Sequence, residues 1–188
     1  MSEFRAFISI DIEDEDVIDR ILEIQDRLKA SGADLKLVEP ENVHLTLKFL
    51  GNIPESRVPE VVEAMEKAAD AVEPFTMRLK GLGVFPDIRH IRVVWVGVDE
   101  GADETKTMAA VLEDELGRRG FRRENREFVP HVTVARVRSG RNKAQLVEVI
   151  RELSSVEVGD VEVTSIRLKK SILRPEGPEY HTVEEVEL

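Results

Sequence analysis

Residues 130–136 read Pro-His-Val-Thr-Val-Ala-Arg, and their alternation of polar and apolar side chains predicts a half-buried β-strand. The same spacing of histidine and threonine occurs earlier, where residues 42–51 read Asn-Val-His-Leu-Thr-Leu-Lys-Phe-Leu-Gly. Side chains i and i+2 of a strand share one face and lie about 7 Å apart along it. The histidine and threonine of each motif therefore share a face, which places an imidazole beside a hydroxyl twice in the chain.

The opposite face of each strand is apolar and is predicted to pack beneath a helix. It consists of Leu45, Leu47 and Phe49 around the first motif, and of Val132 and Val134 around the second. A single histidine and threonine pair is common on an exposed strand. Two copies of the pair in equivalent surroundings indicate a shared functional site.

The remaining periodicities predict strands and helices in an order that repeats in the two halves of the chain. Strands are predicted at 4–10, 35–38, 43–50, 75–82, 91–98, 128–137, 162–171 and 181–187. Helices are predicted at about 55–72, 104–119 and 142–153, and a first helix is predicted to begin within 11–19 and to stop at 31–32. Glycine and proline predict breaks at 51–54 and 83–87. His131 follows His44 by 87 residues, a little under half of the 188-residue chain.

This order predicts an α+β fold. We expect residues 1–188 to form a single bilobal domain, with two similar lobes of antiparallel sheet and flanking helices around a central cleft. Each lobe would carry one motif, and an approximate two-fold axis would bring both motifs into the cleft.

Six carboxylates lie between Asp11 and Asp19. Such a cluster suits a cation site, but it also suits the first turn of a helix, where the helix dipole favours negative charge. An apolar helical stripe follows and ends at Ser31 and Gly32, which favours the helical interpretation.

The composition excludes several classes of protein. The chain contains no cysteine, so disulfides, thiolate metal ligands and cysteine nucleophiles are excluded. No apolar run approaches the roughly 18 residues that a membrane span needs, and the first residues lack the pattern of a signal peptide. We therefore expect a cytoplasmic protein that does not associate with membranes.

The net charge of −11 argues, at first sight, against a nucleic-acid partner. The charge is uneven, however, because residues 118–143 contain only two acidic residues and nine basic ones, Arg118, Arg119, Arg122, Arg123, Arg126, Arg136, Arg138, Arg141 and Lys143. This window is either a local binding surface for a phosphate-bearing ligand or a solvated loop and helix end.

Two imidazoles and two hydroxyls that face one cleft fit acid–base catalysis at a phosphodiester. One histidine takes a proton from water while the other donates a proton to the departing oxygen, because imidazole titrates near ~6.5. The threonine hydroxyls suit the non-bridging oxygens, and Arg136 adds a guanidinium for the same phosphate. A metal site is the alternative, but zinc usually takes a third protein ligand and no acidic residue has a suitable spacing. We expect neither metal nor cofactor, and the motifs do not decide which histidine is the acid.

Over nearly its whole length, the chain resembles the two-histidine phosphoesterases. Within them it is similar to the bacterial and archaeal RNA 2′,3′-cyclic phosphodiesterases, which are also called 2′-5′ RNA ligases. The resemblance lies in both motifs, the opening strand, a central loop and strand, and the C-terminal tail, at residues 42–51, 128–136, 5–11, 83–98 and 171–180. It implies a bilobal α+β fold and metal-independent opening of a terminal 2′,3′-cyclic phosphate to a 2′-phosphomonoester.

By position, the resemblance implies that His44 donates a proton to the departing O3′ and that His131 activates water. Thr46, Thr133 and Arg136 are implied to bind the phosphate. The expected partner of this hydrolase is an RNA end that carries a 2′,3′-cyclic phosphate, tRNA fragments included, and a monomer is expected. Two alternatives stay open, a 2′-5′ RNA ligase that acts on tRNA halves and a protein that binds RNA ends without catalysis.

Four further side chains are assigned a position or a role from the sequence. Phe85 and Tyr180 are candidates for stacking on a nucleobase. Trp95 lies in an apolar stretch and is predicted to be part of the core. Lys48 is predicted to share the face of the first motif, since it follows the threonine by two residues.

Overall fold

The computed structural model describes residues 2–188, which form four α-helices and nine β-strands. The strands are β1 (Glu3–Asp11), β2 (Leu35–Leu37), β3 (His44–Pro54), β4 (Phe75–Asp87), β5 (His90–Val98), β6 (His131–Val137), β7 (Glu157–Val163), β8 (Ser165–Arg174) and β9 (Gly177–Glu187). The helices are α1 (Glu15–Ala30), α2 (Val58–Asp70), α3 (Ala102–Arg118) and α4 (Lys143–Glu152). The two histidines of the motifs are the first residues of β3 and β6.

The nine strands form one antiparallel sheet. Eight of them follow the order β7-β4-β5-β6-β3-β1-β8-β9, and the short strand β2 pairs with β6. The two motif strands are neighbours at the centre, where Leu45 of β3 opposes Val132 of β6. Beyond this pair the two strands diverge, and β2 takes the place of β3 beside the second half of β6. The topology therefore brings together two motifs that are distant in sequence.

The helices pack against the apolar face of the sheet. Helices α1 and α4 contact the half of the sheet that contains β4, β6 and β7, whereas α2 and α3 contact the half that contains β3, β8 and β9. The stripe of α1 is buried as predicted, through Val17, Ile21, Ile24 and Leu28, and burying each such side chain stabilises the fold by about 1.5–3 kcal/mol. The predicted α+β class, with an antiparallel sheet and flanking helices, is confirmed.

The start of α1 confirms the helical interpretation for most of the acidic cluster. Asp14 caps the helix by accepting a hydrogen bond from the backbone N–H of Val17 at 3.1 Å, and Glu15 and Asp16 lie in the first turn. Asp11 and Glu13 are the exceptions, because Asp11 is the last residue of β1 and Glu13 lies between that strand and the helix cap.

Both predicted breaks are wrong. β3 continues to Pro54, because its pairing with β1 resumes at Gly51, opposite Ala6, after an irregularity. The φ of 68° at Gly51 does not end the strand. β4 continues to Asp87 and forms a hairpin with β5. Strand β7 has no counterpart among the predicted strands, and residues 171–180 form the end of the β8–β9 hairpin.

The two motif strands each contain a β-bulge at the same distance from their histidine. In β3 the extra residue is Leu47, which has no opposite partner in β1, and in β6 it is Val134, which has none in β5. A bulge adds one residue and so shifts the alternation of faces by one. As a result, Phe49 and Arg136 lie on the same face as the histidine and threonine that precede them. We call this side of the sheet the cleft face.

The sheet curls around the cleft face. Tyr180 belongs to β9 and His44 to β3, with β1 and β8 between them, yet their rings lie 5.4 Å apart at an angle of 90°. Neighbouring strands are about 4.8 Å apart, so a flat sheet would hold the two rings much farther from each other.

Within residues 2–188, no helix combines the length and the apolarity needed to cross a membrane. That residues 1–188 form one domain of two similar lobes stays a prediction.

Candidate active site

The five residues predicted for the site lie on the cleft face of the two central strands. His44 and Thr46 occupy the start of β3, and His131 and Thr133 occupy the start of β6. Because the two strands pair where the motifs lie, the four side chains converge. The bulge in β6 adds Arg136 to them, and this arginine is exposed and makes no ion pair within residues 2–188.

The imidazole of His44 is held at both nitrogens. Its Nδ1–H donates a hydrogen bond to the backbone carbonyl of Asn42 at 2.7 Å, and its Nε2 lies 2.9 Å from the hydroxyl of Thr46. With the proton on Nδ1, the Nε2 of the neutral ring accepts from that hydroxyl. The ring also packs against Phe7 and Tyr180, at centroid distances of 5.0 and 5.4 Å.

The imidazole of His131 is oriented in the same way. Its Nδ1–H donates to the backbone carbonyl of Val129 at 2.7 Å, which leaves Nε2 as the basic nitrogen. Within residues 2–188 this Nε2 has no hydrogen-bond partner. Phe85 lies edge-on to the ring at 4.9 Å, and Trp95 lies at 5.9 Å.

Burial lowers the pKa of both histidines. For His44 burial is the largest influence, while the hydrogen bond to Asn42 and the nearby carboxylate of Asp11 raise the pKa, and the charges of Lys169 and His131 lower it. For His131 burial again comes first, the hydrogen bond to Val129 opposes it, and the charge of Arg136 lowers the pKa further. Both lowered pKa values favour the neutral ring at pH 7.

The bulge in β3 overturns two predictions. Phe49 is not packed beneath a helix, because it faces the cleft and is 65% exposed. Lys48 is on the opposite face, where it is 7% exposed and donates hydrogen bonds to Glu113 of α3 at 2.7 Å and to the carbonyl of Arg122. Strict alternation would place Lys48 on the cleft face and Phe49 on the opposite face, and the extra residue Leu47 reverses this assignment.

Trp95 is not a core residue. It opposes Thr133 on the cleft face and is only partly buried, with its ring against Phe85 at 5.1 Å. Gly83 makes room for the indole, because a Cβ on that residue would lie 2.2 Å from the ring. Phe85 and Tyr180, which are the predicted stacking residues, contact the two histidines. The two sides of the cleft therefore each contain aromatic rings.

Sequence reasoning missed a charged cluster beside His44. Asp11 accepts hydrogen bonds from Ser9 at 2.7 Å, from Lys169 at 2.7 Å and from Arg167 at 2.9 Å. In the sequence, Asp11 differs from the neighbouring carboxylates only in lying at the end of an alternating strand. Because acidic residues follow it directly, the sequence pattern assigns it with them to the start of the next helix. Within residues 2–188, no group of three or more histidine, aspartate or glutamate side chains is arranged to hold a metal ion.

The basic window at 118–143 is not one surface. Arg118 pairs with Asp114, and Arg119 pairs with Glu63 and Glu115, so these two arginines belong to the packing of the helices. The other cations of the window are divided between the loop before β6 and the region from β6 to the start of α4, namely Arg122, Arg123, Arg126, Arg136, Arg138, Arg141 and Lys143. Of these, Arg136 is close enough to affect the pKa values of both His131 and Tyr180.

Comparison with known families agrees with this geometry. The sequence model of the family described as LigT like Phosphoesterase matches the chain twice, over residues 10–95 and 96–180. The chain belongs to the LigT-like phosphoesterase family. The first match contains the β3 motif and the second contains the β6 motif, and the resemblance to two-histidine phosphoesterases is confirmed.

Curated relatives and solved structures extend the likeness over the full length. Proteins named RNA 2′,3′-cyclic phosphodiesterase are 43% identical in Methanothermobacter thermautotrophicus, over 96% of both chains, and 44% identical in Aeropyrum pernix, over 90% of this chain and 96% of the relative. The crystal structure of TT0787 of Thermus thermophilus has a TM-score of 0.80 at 27% identity, covering 98% of this chain and 97% of its own. Escherichia coli LigT complexed with 3′-AMP has the same fold, with a TM-score of 0.79 at 24% identity and coverage of 100% and 99%.

Proposed function

We propose that this LigT-like phosphoesterase hydrolyses the 2′,3′-cyclic phosphodiester at the end of an RNA to a 2′-phosphomonoester. The observation that carries the proposal is the convergence of His44 and His131 on one face of two paired strands, with the Nδ1 of each ring bonded to a backbone carbonyl. The Nε2 of His131 is thereby available to exchange a proton with a ligand in the cleft, and the Nε2 of His44 becomes available when the hydroxyl of Thr46 turns away from it. The names of the curated relatives support RNA as the substrate.

In the proposed reaction, His131 is the base and His44 is the acid. Water attacks phosphorus, its proton passes to the Nε2 of His131, and the bond between phosphorus and O3′ breaks as the Nε2–H of His44 protonates the leaving oxygen. The product keeps its phosphate on O2′, and one proton has moved from His44 to substrate and one from water to His131. Each proton transfer contributes about 10²–10⁴-fold to the rate.

The remaining side chains hold the phosphate. The hydroxyls of Thr46 and Thr133 donate hydrogen bonds to its non-bridging oxygens, and the guanidinium of Arg136 neutralises the charge that develops on them. Thr46 now bonds to the Nε2 of His44, so it turns to the phosphate when substrate arrives and frees that nitrogen for O3′.

The directions in which the pKa values of the two histidines are shifted determine how the rate depends on pH. The lowered pKa of His131 keeps it neutral, as a base must be, whereas the lowered pKa of His44 opposes the protonated form that an acid needs. A bound phosphodiester anion favours the charged ring and so raises the pKa of His44 again. The rate should therefore fall on the acid side as His131 becomes protonated and on the alkaline side as His44 loses its proton, which gives a bell-shaped profile.

Product analysis tests the proposed function. An oligoribonucleotide that ends in a 2′,3′-cyclic phosphate should be opened at an undiminished rate in excess chelator, because both protons are carried by side chains. The product should end in a 2′-phosphate, which phosphorus NMR distinguishes from a 3′-phosphate. Formation of the 3′-phosphate would reverse the assigned regiochemistry, and loss of turnover in chelator would overturn the metal-free mechanism.

Phe49 gives a second prediction, because an exposed aromatic ring beside a phosphate site suits a nucleobase. Base stacking on an aromatic side chain is worth about 1–3 kcal/mol, so Phe49→Ala should lower kcat/KM for a cyclic-phosphate nucleotide roughly tenfold. Phe49→Tyr should keep most of the rate. Leu173→Ala is the matched control, since Leu173 is also an exposed apolar side chain, at 74%. Equal losses in the alanine variants at positions 49 and 173 would contradict a specific contact with the base.

A further inference from the structure

The two histidines have different neighbours across their strand pairs. Asp11 of β1 is the residue directly opposite His44, whereas Gly97 of β5 is the residue directly opposite His131. Opposite residues of an antiparallel pair have Cβ atoms about 4.5–5.5 Å apart. A carboxylate therefore lies beside His44, whereas the residue opposite His131 is a glycine, next to which lies the uncharged indole of Trp95.

Asp11 is fixed in its ionised form. Its Oδ2 accepts hydrogen bonds from Lys169 at 2.7 Å and Arg167 at 2.9 Å, and its Oδ1 accepts from Ser9 at 2.7 Å. Burial alone would raise the pKa of Asp11, but these three hydrogen bonds outweigh it and the pKa lies below its usual value. Ser9 is fully buried and Lys169 is 8% exposed, so the cluster is built into the fold.

The cluster acts on His44 through its charge. Within residues 2–188 no hydrogen bond joins Asp11 to His44, because the two ring nitrogens of His44 are bonded to Asn42 and Thr46. Of the groups that face His44 from other strands, Asp11 raises its pKa, Lys169 of β8 and His131 of β6 lower it, and Tyr180 of β9 packs on the ring. The shift in the pKa of His131 has other causes, which are burial, the hydrogen bond to Val129 and the charge of Arg136. The charges of Asp11 and Lys169 therefore shift the pKa of His44 in opposite directions, and they lie beside that histidine only.

We propose that Asp11 and Lys169 form a buried charge pair that sets the protonation of His44, with Asp11 favouring the imidazolium and Lys169 opposing it less strongly. Asp11 is a positioning residue in this scheme, since it touches neither the substrate nor the reacting atoms. The inference deepens the proposed function and rests on it, because it explains why His44 rather than His131 is the acid. Two copies of one motif acquire different roles from the strands beside them.

Titration of the histidine rings by NMR tests the pair directly. In Asp11→Asn the pKa of His44 should fall by about one unit, because the stabilising charge is lost. In Lys169→Met it should rise by a smaller amount, because Lys169 acts less strongly than Asp11. The pKa of His131 should stay unchanged in both variants and serves as the internal control. Damage to the structure would move His44 in the same direction in both variants, and that result would overturn the proposal, as would an unchanged His44 in Asp11→Asn.

The pH dependence of turnover gives a second readout. With a cyclic-phosphate substrate, Asp11→Asn should move the alkaline limb of kcat/KM to lower pH, so the loss is larger at pH 8 than at pH 6. Lys169→Met should move the same limb to higher pH. A uniform loss at all pH values would indicate a structural role alone and would contradict the proposal.

A double variant controls for folding. Asp11→Asn leaves Lys169 without its carboxylate, and an unpaired buried charge destabilises a fold. The variant Asp11→Asn/Lys169→Met removes both charges, and the pKa of His44 should lie between its values in the two single variants and somewhat below its original value, because Asp11 acts more strongly than Lys169. A pKa of His44 outside that interval in the folded double variant would overturn the proposal. Because the titration needs no turnover, failure to hydrolyse cyclic phosphates would overturn the proposed function without deciding the role of the pair.

Discussion

Replacing His131 with alanine should lower kcat for opening a 2′,3′-cyclic phosphate by about 10²–10⁴-fold, and replacing His44 should do the same. The physical reason is that each variant removes one of the two proton transfers. Both rings lie in the cleft and are only partly buried, so neither variant should unfold. Single-turnover rates on a cyclic-phosphate oligonucleotide, with melting temperatures alongside, provide the measurement.

Two other histidines supply the control. His90 and His181 are exposed and lie outside the site, so alanine at either position should leave the rate near that of the original protein. The double variant His44→Ala/His131→Ala should lose less than the product of the two single losses, because the two rings act on one reaction as a unit. A rate near normal in either single variant would contradict the two-histidine mechanism.

Replacing Arg136 with alanine should lower kcat/KM by about 10²–10³-fold, which is the usual cost of removing one donor to a developing negative charge. Arg136→Lys should recover part of this loss, because lysine keeps the charge but cannot form two parallel hydrogen bonds. Steady-state kinetics at constant ionic strength provide the measurement. Removal of Arg136 also takes away a charge that lowers the pKa of His131, so the acidic limb of the pH profile should move to higher pH.

Arg138 is the matched control for Arg136. It lies two residues further along the same strand direction, is exposed and makes no ion pair within residues 2–188. If Arg136 acts by contacting the phosphate, Arg138→Ala should have little effect on a mononucleotide substrate. Similar losses in both variants would indicate a general attraction of the anionic substrate.

Much of the candidate site follows from local sequence. The shared face of a histidine and a threonine two residues apart is set by the geometry of a single strand, and two such motifs in one chain predict a common site. The α+β class follows from the order of the periodic segments. These features depend on residues that are close in sequence, so they can be predicted before the strands are paired.

Other features depend on how the strands pair. Strict alternation predicts the wrong face for Phe49 and Lys48, and an apolar surrounding predicts the wrong environment for Trp95. A bulge arises where one strand has a residue more than its partner, so its position cannot be found from one strand alone. The acidic neighbours of Asp11 suggest that it belongs to the next helix, although its ion-pair partner lies 158 residues away in β8.

The sequence by itself determined the reactive groups, two imidazoles and two hydroxyls at matching places, and with them the resemblance to a family. The tertiary structure decided which side chains join those groups and how the two histidines differ. Bulges turn Arg136 and Phe49 toward the cleft, and the pairing of β1 with β3 places the carboxylate of Asp11 beside His44 alone. The reason is one of range: alternation within a strand is a local property, whereas register and charge across strands are set by contacts between distant parts of the chain.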